Sequence, residues 1–138
     1  RRQRQMCIRD STDTTRLVKE LPTLRLLTRD PVEIEKLAHR LAKVLQECLE
    51  LCEVTVESTY SQVGSGALPV DRLQSAALKI ARPDLRRPGK TLEKLAEAFR
   101  KLQIPVIGRI SSDALWFDLR CLEDEKGFVE NLQGLKVR

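Results

Sequence analysis

The sequence is short of the groups that most often carry chemistry unaided. Among 138 residues there is one histidine, one tryptophan, one tyrosine and one methionine, and aromatics amount to 4%. So few rings argue against a surface that reads RNA or DNA by stacking bases. The lone histidine, His39, lies mid-helix between Ala38 and Arg40. It lacks a Ser or Cys motif nearby and reads as a surface or half-buried side chain. No apolar run approaches the ~20 residues needed to span a bilayer. A nucleophile elbow, a zinc-protease signature and a P-loop are all missing, as are repeats and low-complexity tracts.

What is present suits one folded domain. Hydrophobic residues make up 41% and charged residues 33%, which is neither a disordered nor a membrane-embedded composition. Lys plus Arg number 25 against 20 Asp plus Glu, a formal charge of +5. That surplus permits a polyanionic partner without demanding one.

The charge is unevenly spread. Residues 1–11, RRQRQMCIRDS, hold Arg1, Arg2, Arg4 and Arg9 against Asp10, with no helical or strand period. A basic arm that grips phosphate is one reading. A non-native, adapter-like head is the preferred one, and this stretch is set aside from fold reasoning. The chain is then expected to begin at a broken edge and to be a piece of something longer. Without the head's net +3, the remaining 127 residues carry only +2.

The cysteines are Cys7, Cys48, Cys52 and Cys121. With no secretory signal in front of them, free thiols in a reducing cytosol are expected. Cys48 and Cys52 are four apart, on one face of a predicted helix. They could be half of a metal site, but a second pair is missing, so buried structural thiols are expected and no metal.

The element order reads helix, helix, strand, strand, helix, strand, strand, helix. A short helix near Asp13 to Leu21 ends at Pro22. An apolar segment with Arg25 and Arg29 follows. Asp30, Pro31 and Glu33 form a start signal for a long helix. In it Ile34, Leu37, Leu41, Val44, Leu45, Cys48 and Leu49 recur at helical spacing. Val54 to Thr59 alternates as a strand, Ser61 to Pro69 is a loop, and Ala76 to Ala81 is a second strand. A basic linker, residues 82–90, leads to a helix through Leu92, Leu95, Ala96, Phe99 and Leu102. Val106 to Ile110 and Leu115 to Leu119 form a hairpin around a turn at Ser111, Ser112 and Asp113. Asp124 caps a last helix. The fold class is α+β, with helices packed on a small, mostly antiparallel sheet. Three parts are expected: the head at 1–11, a connecting helix and junction at 12–30, and a small domain at 31–138.

Gly64, Ser65 and Gly66 only weakly resemble a phosphate-cradling loop, because no Lys-Ser or Lys-Thr follows and no helix opens there. The glycines more simply allow positive φ or a close backbone approach. Arg109, in the strand VIGRI, has the planar fork that suits a carboxylate or phosphate. From this segment alone the stronger reading is an exposed arginine paired with Asp113 or Asp118. Arg120 reads as a structural partner of Glu123 and Asp124.

PTLRLLTR, SQVGSGALPVDRL, SAAL, IPVIGRI and LWFDLRCLEDE occur in this order from about Leu17 to Leu132. In that order and spacing they resemble the C-terminal part of the bacterial L-seryl-tRNA(Sec) selenium transferase family, the selenocysteine synthases. Gln74 departs from the family's usual proline, at some loss of loop rigidity. The resemblance implies the small C-terminal domain of a fold-type I enzyme dependent on pyridoxal 5'-phosphate. It implies conversion of seryl-tRNA(Sec) to selenocysteinyl-tRNA(Sec) with selenophosphate, in the cytoplasm, by a homo-oligomer built from dimers, with no membrane partner. The lysine that holds the cofactor lies upstream of PTLR in this family. Lys79 and Lys94 sit in other contexts, so the chain alone is expected to be inactive. Arg109 becomes the first candidate for substrate or anion binding and Arg25 the second. Gly64, Ser65 and Gly66 are candidates for a site rim or subunit contact. Two alternatives stand beside this reading. One is the small domain of a related lyase that uses the same cofactor on a small amino acid. The other is a free-standing α+β binding module.

Overall fold

A computed structural model describes residues 14–61 and 72–135. By their contacts, residues 1–30 and 31–138 form two compact units. Expectations for the head, for Cys7 and for Gly64, Ser65 and Gly66 fall outside the described residues.

In the first unit, α1 spans Thr14–Glu20 and α2 spans Pro22–Leu27. The Arg16 guanidinium meets Glu20 one turn on at 2.8 Å. Leu21, between the helices, is extended at φ −95° and ψ 110°, as a residue before proline prefers. Pro22 follows the end of α1, as the stop signal expected there. It is also a start, standing at the first position of α2, where its missing N–H breaks no helical bond. The Thr28 hydroxyl closes α2 by donating to the Leu24 carbonyl at 2.8 Å.

The second unit is a four-stranded antiparallel sheet covered on one face by three helices. Helix α3 is Pro31–Cys48, β1 is Glu53–Ser61, β2 is Leu73–Ala81 and α4 is Gly89–Arg100. Strand β3 is Arg109–Ser111, β4 is Ala114–Asp118 and α5 is Glu125–Leu132. The strands lie in the order β1-β2-β4-β3. The expected α+β class therefore holds, with α2 as the element that went unread.

Periodicity explains α3. Ile34, Leu37, Ala38, Leu41 and Leu45 form its buried stripe. Val44 is only half-buried, and Cys48 is exposed. The helix stops at Cys48, so Cys52 lies past its end rather than on the same face, which corrects the expected cysteine pair. The Gln46 side chain bridges the turn that follows. Its Nε2 donates to the Cys52 carbonyl at 2.8 Å, and its Oε1 accepts from the Val54 N–H at 3.0 Å.

Helix α4 buries Leu92, Leu95, Ala96 and Phe99. Phe99 meets Phe117 of β4 with ring centroids 4.8 Å apart, tilted by 59°. Asp124 caps α5 as expected, its carboxylate accepting from the Gly127 N–H at 2.9 Å. Glu125 then receives both arms of the Arg40 guanidinium from α3 at 2.8 Å each. The carboxamide of Asn131 clasps Ile104, accepting from its N–H at 3.0 Å and donating to its carbonyl at 2.7 Å.

The hairpin is shorter and tighter than expected. The Val106 N–H goes to the Phe99 carbonyl at 3.1 Å instead of to a strand. Ser112 and Asp113 alone form the turn, with φ of 50° and 55°, the signature of a two-residue hairpin that matches strand twist. Ser111 consequently pairs with Ala114 and Arg109 with Trp116. Among the described residues no helix is long and apolar enough to cross a membrane.

Candidate functional site

Cross-strand register decides which polar side chains share a face. Thr55, Lys79, Trp116 and Arg109 are successive partners across β1, β2, β4 and β3. Directly opposed residues project to the same side of a sheet. Leu78, Ile80, Leu115 and Phe117 alternate with them into the helix-covered core. The row containing Trp116 therefore lies on the face the three helices leave open.

Arg109 is exposed on the edge strand β3. The expected pairing with Asp113 or Asp118 does not occur. Its guanidinium lies 5.8 Å from the centre of the Trp116 ring instead, within cation–π range. Lys79 reaches the same ring from the opposite neighbour strand, at 5.6 Å. The Trp116 Nε1 donates to the Ser111 carbonyl at 2.9 Å, which fixes the indole. Glu57 stands 3.8 Å from the Lys79 ammonium, a long contact.

Gly108 lets this arrangement form. A Cβ there would fall 2.7 Å from the Trp116 carbonyl oxygen and 2.7 Å from Phe117 Cε1. Only a bare backbone can pass so close to β4.

Further along the open face, the Asp118 carboxylate gathers three donors. One oxygen accepts from the Ser61 hydroxyl. The other accepts from Ser75 Oγ at 2.7 Å and from the Arg120 backbone N–H at 3.0 Å. Both serines are buried, so their hydroxyls need these bonds. Arg120 is buried as well, 2% exposed, and donates from Nη2 to the Gln74 carbonyl. Glu123 and Asp124 are its partners expected from sequence. The bond to Gln74 adds a further role, in which Arg120 ties the segment after β4 to the start of β2.

Arg25 lies half-buried in α2, within the first unit. Of the site candidates, Arg109 and Arg25 are thus placed, each in its own unit. His39 is exposed, 4.0 Å from Glu35 one turn back.

A cleft of about 780 Å³ runs along the ends of α3 and α4, past Glu47, Cys52, Arg82, Lys94, Glu97 and Lys101. Two of its three cations are already engaged, Lys94 being the exception. Arg82 holds Asp84 by two bonds of 2.9 and 2.8 Å, and Lys101 holds Glu97 at 2.6 Å. The Arg82 bond pulls the Asp84 carboxyl below its ordinary value, and Lys101 does the same to Glu97. Burial pushes the Cys52 thiol up, against an opposing pull from Arg82. One unengaged lysine among the acids Glu47, Glu50 and Glu97 does not suit the phosphate of a pyridoxal cofactor. The described residues therefore do not make a cofactor pocket of their own. Among them, no cluster of His, Cys, Asp and Glu could hold a metal ion.

Comparison with known proteins agrees with the motifs. A family model described as L-seryl-tRNA selenium transferase matches residues 3–123. A protein of Klebsiella pneumoniae (strain 342) named L-seryl-tRNA(Sec) selenium transferase is 53% identical over 116 residues, covering 84% of this chain and 25% of its own length. One of the same name from Yersinia pestis (strain Pestoides F) is 50% identical over 118 residues, with 85% and 25% covered. The chain thus spans about a quarter of the length of these relatives. On the extent of that match, the chain belongs to the L-seryl-tRNA selenium transferase family.

Proposed function

We propose that this chain is the C-terminal part of an enzyme that converts L-seryl-tRNA(Sec) to L-selenocysteinyl-tRNA(Sec) with selenophosphate. The observation that carries the reading is the family match over residues 3–123, with relatives of that name about half identical to the chain. In this reading the segment before Pro31 joins the small domain, residues 31–138, to the rest of the enzyme. The whole enzyme is cytoplasmic and a homo-oligomer built from dimers. Pyridoxal 5'-phosphate, when bound, stabilises negative charge on the reacting amino acid. In this reading the lysine that holds the cofactor lies upstream of PTLR, as the family resemblance implies.

The chain's own contribution is anion recognition. Arg109 projects from a rigid strand, without a carboxylate partner among the described residues and oriented by Trp116. A guanidinium in that state is free to form two parallel bonds to a carboxylate or phosphate oxygen pair. Arg25 supplies a second anion contact, and Gly64, Ser65 and Gly66 shape the site rim or a subunit contact. In the full-length enzyme, Arg109→Ala should cut selenium transfer with folding intact. Parental activity in that variant would remove Arg109 from the site. The chain alone, mixed with the cofactor, should develop no absorbance band of a lysine-bound form. Such a band would contradict the assignment of the cofactor to residues elsewhere.

A further inference from the structure

The open face holds two cations around one fixed aromatic ring. With Lys79 Nζ at 5.6 Å and Arg109 Cζ at 5.8 Å from the Trp116 ring centre, the two charges lie no more than about 11 Å apart. Arg109 has no carboxylate partner among the described residues, and Lys79 has only the long contact to Glu57. Asp118, on the same face, is already engaged by Ser61, Ser75 and the Arg120 N–H. The ring is turned to the cations and its N–H to Ser111, so it serves as their support.

We propose that Lys79 and Arg109, held by Trp116, form a two-cation site for neighbouring phosphates of an unpaired RNA strand. A single carboxylate or free phosphate needs one fork. Two separated, weakly neutralised cations on the two strands that flank β4 suit a chain of phosphates that can bridge them. The site reads backbone and not bases, which agrees with the scarcity of aromatic rings elsewhere. The RNA assignment rests on the proposed function only in that the named relatives act on a tRNA.

The chain carries a single tryptophan, so its fluorescence reports this site alone. The 138-residue chain is titrated with a short unstructured RNA and, separately, with inorganic phosphate at matched ionic strength. RNA should change the emission saturably, and log affinity against log salt should fall with a slope near −1.4, about −0.7 per single-strand phosphate. Lys79→Gln and Arg109→Gln should each weaken binding and bring the slope to about −0.7, with unchanged far-ultraviolet circular dichroism. Glu57→Gln should tighten binding, and it tests the same idea if the Lys79 variant does not fold. No saturable change with RNA, a slope untouched in both variants, or equal response to inorganic phosphate would each overturn the proposal. Selenium transfer by full-length Arg109→Ala is a separate readout. Lost transfer without RNA binding would retire this site while sparing the proposed function, and the reverse result would do the opposite.

Discussion

Gly108→Ala tests the tight passage of the chain before β3 against β4. The added Cβ would stand 2.7 Å from the Trp116 carbonyl oxygen, 2.7 Å from Phe117 Cε1 and 2.9 Å from Phe117 Cδ1. Ordinary contact begins near 3.4 Å. The carbonyl is backbone and cannot rotate away. The Phe117 ring is backed by Phe99 at 4.8 Å, so it has little room to yield. The chain at Gly108 must therefore lift by several tenths of an ångström, carrying Arg109 off the indole. Overpacking of this kind costs ~1–3 kcal/mol. For a unit of about one hundred residues each kcal/mol corresponds to roughly 4 °C in Tm, so a fall of ~4–12 °C is expected by circular dichroism. Trp116 emission should shift as well, because its cation neighbours move. Gly89→Ala is the control: nothing lies within 4 Å of a Cβ there, and the effect should stay within ~0.5 kcal/mol, since alanine suits a helix better than glycine. A Gly108→Ala protein melting within about 1 °C of the parent would refute the close-approach argument.

Two further predictions concern titration and reactivity. The Arg40 hydrogen bond holds the Glu125 carboxyl below its ordinary value of 4.5. A depressed folded value stabilises the protein above the unfolded one, and that stabilisation is lost as pH falls through the folded value. Arg40→Met should therefore lower stability slightly above pH 4.5 and flatten its decline below it. Because the pair is solvated, the difference should shrink in high salt, and identical acid limbs in acid-titrated urea melts would dismiss it. Among the described cysteines, Cys48 and Cys121 are exposed while Cys52 is buried with its thiol pushed up. Alkylation near neutral pH, followed by mass spectrometry, should label those two before Cys52, and denaturant should erase the difference. Equal native rates would show that Cys52 is not protected.

The long helix α3 was legible because its apolar stripe, proline start and length all agreed. The α2 helix was not, because Pro22 was read only as a terminator, and propensity does not say on which side of a proline the next helix begins. The candidate site shows a similar divide. Arg109 stood out from its strand context and guanidinium chemistry, but its partner did not. Reading the turn as Ser111 to Asp113 hid the register. A two-residue turn at Ser112 and Asp113, counted outward, places Arg109 against Trp116. Lys79 required the pairing of β2 with β4 across a connection that includes α4, which no local pattern encodes. The Arg120 contact to Gln74 is equally non-local, joining residues 46 apart.

The Gln46 amide sits where a foreign strand would have to begin pairing with β1. As an end strand of the sheet, β1 offers its outer row of N–H and carbonyl groups to any extended chain nearby. Gln46 fills the first of these positions with an imitation of a strand, accepting from Val54 and donating to Cys52. An intruding strand could reach the Cys52 carbonyl and the Val54 N–H only by displacing an amide already bonded at both ends. Side-chain mimicry of a peptide unit thus blocks templated pairing at this end of β1, beside the charges of Glu53 and Glu57 on the same strand.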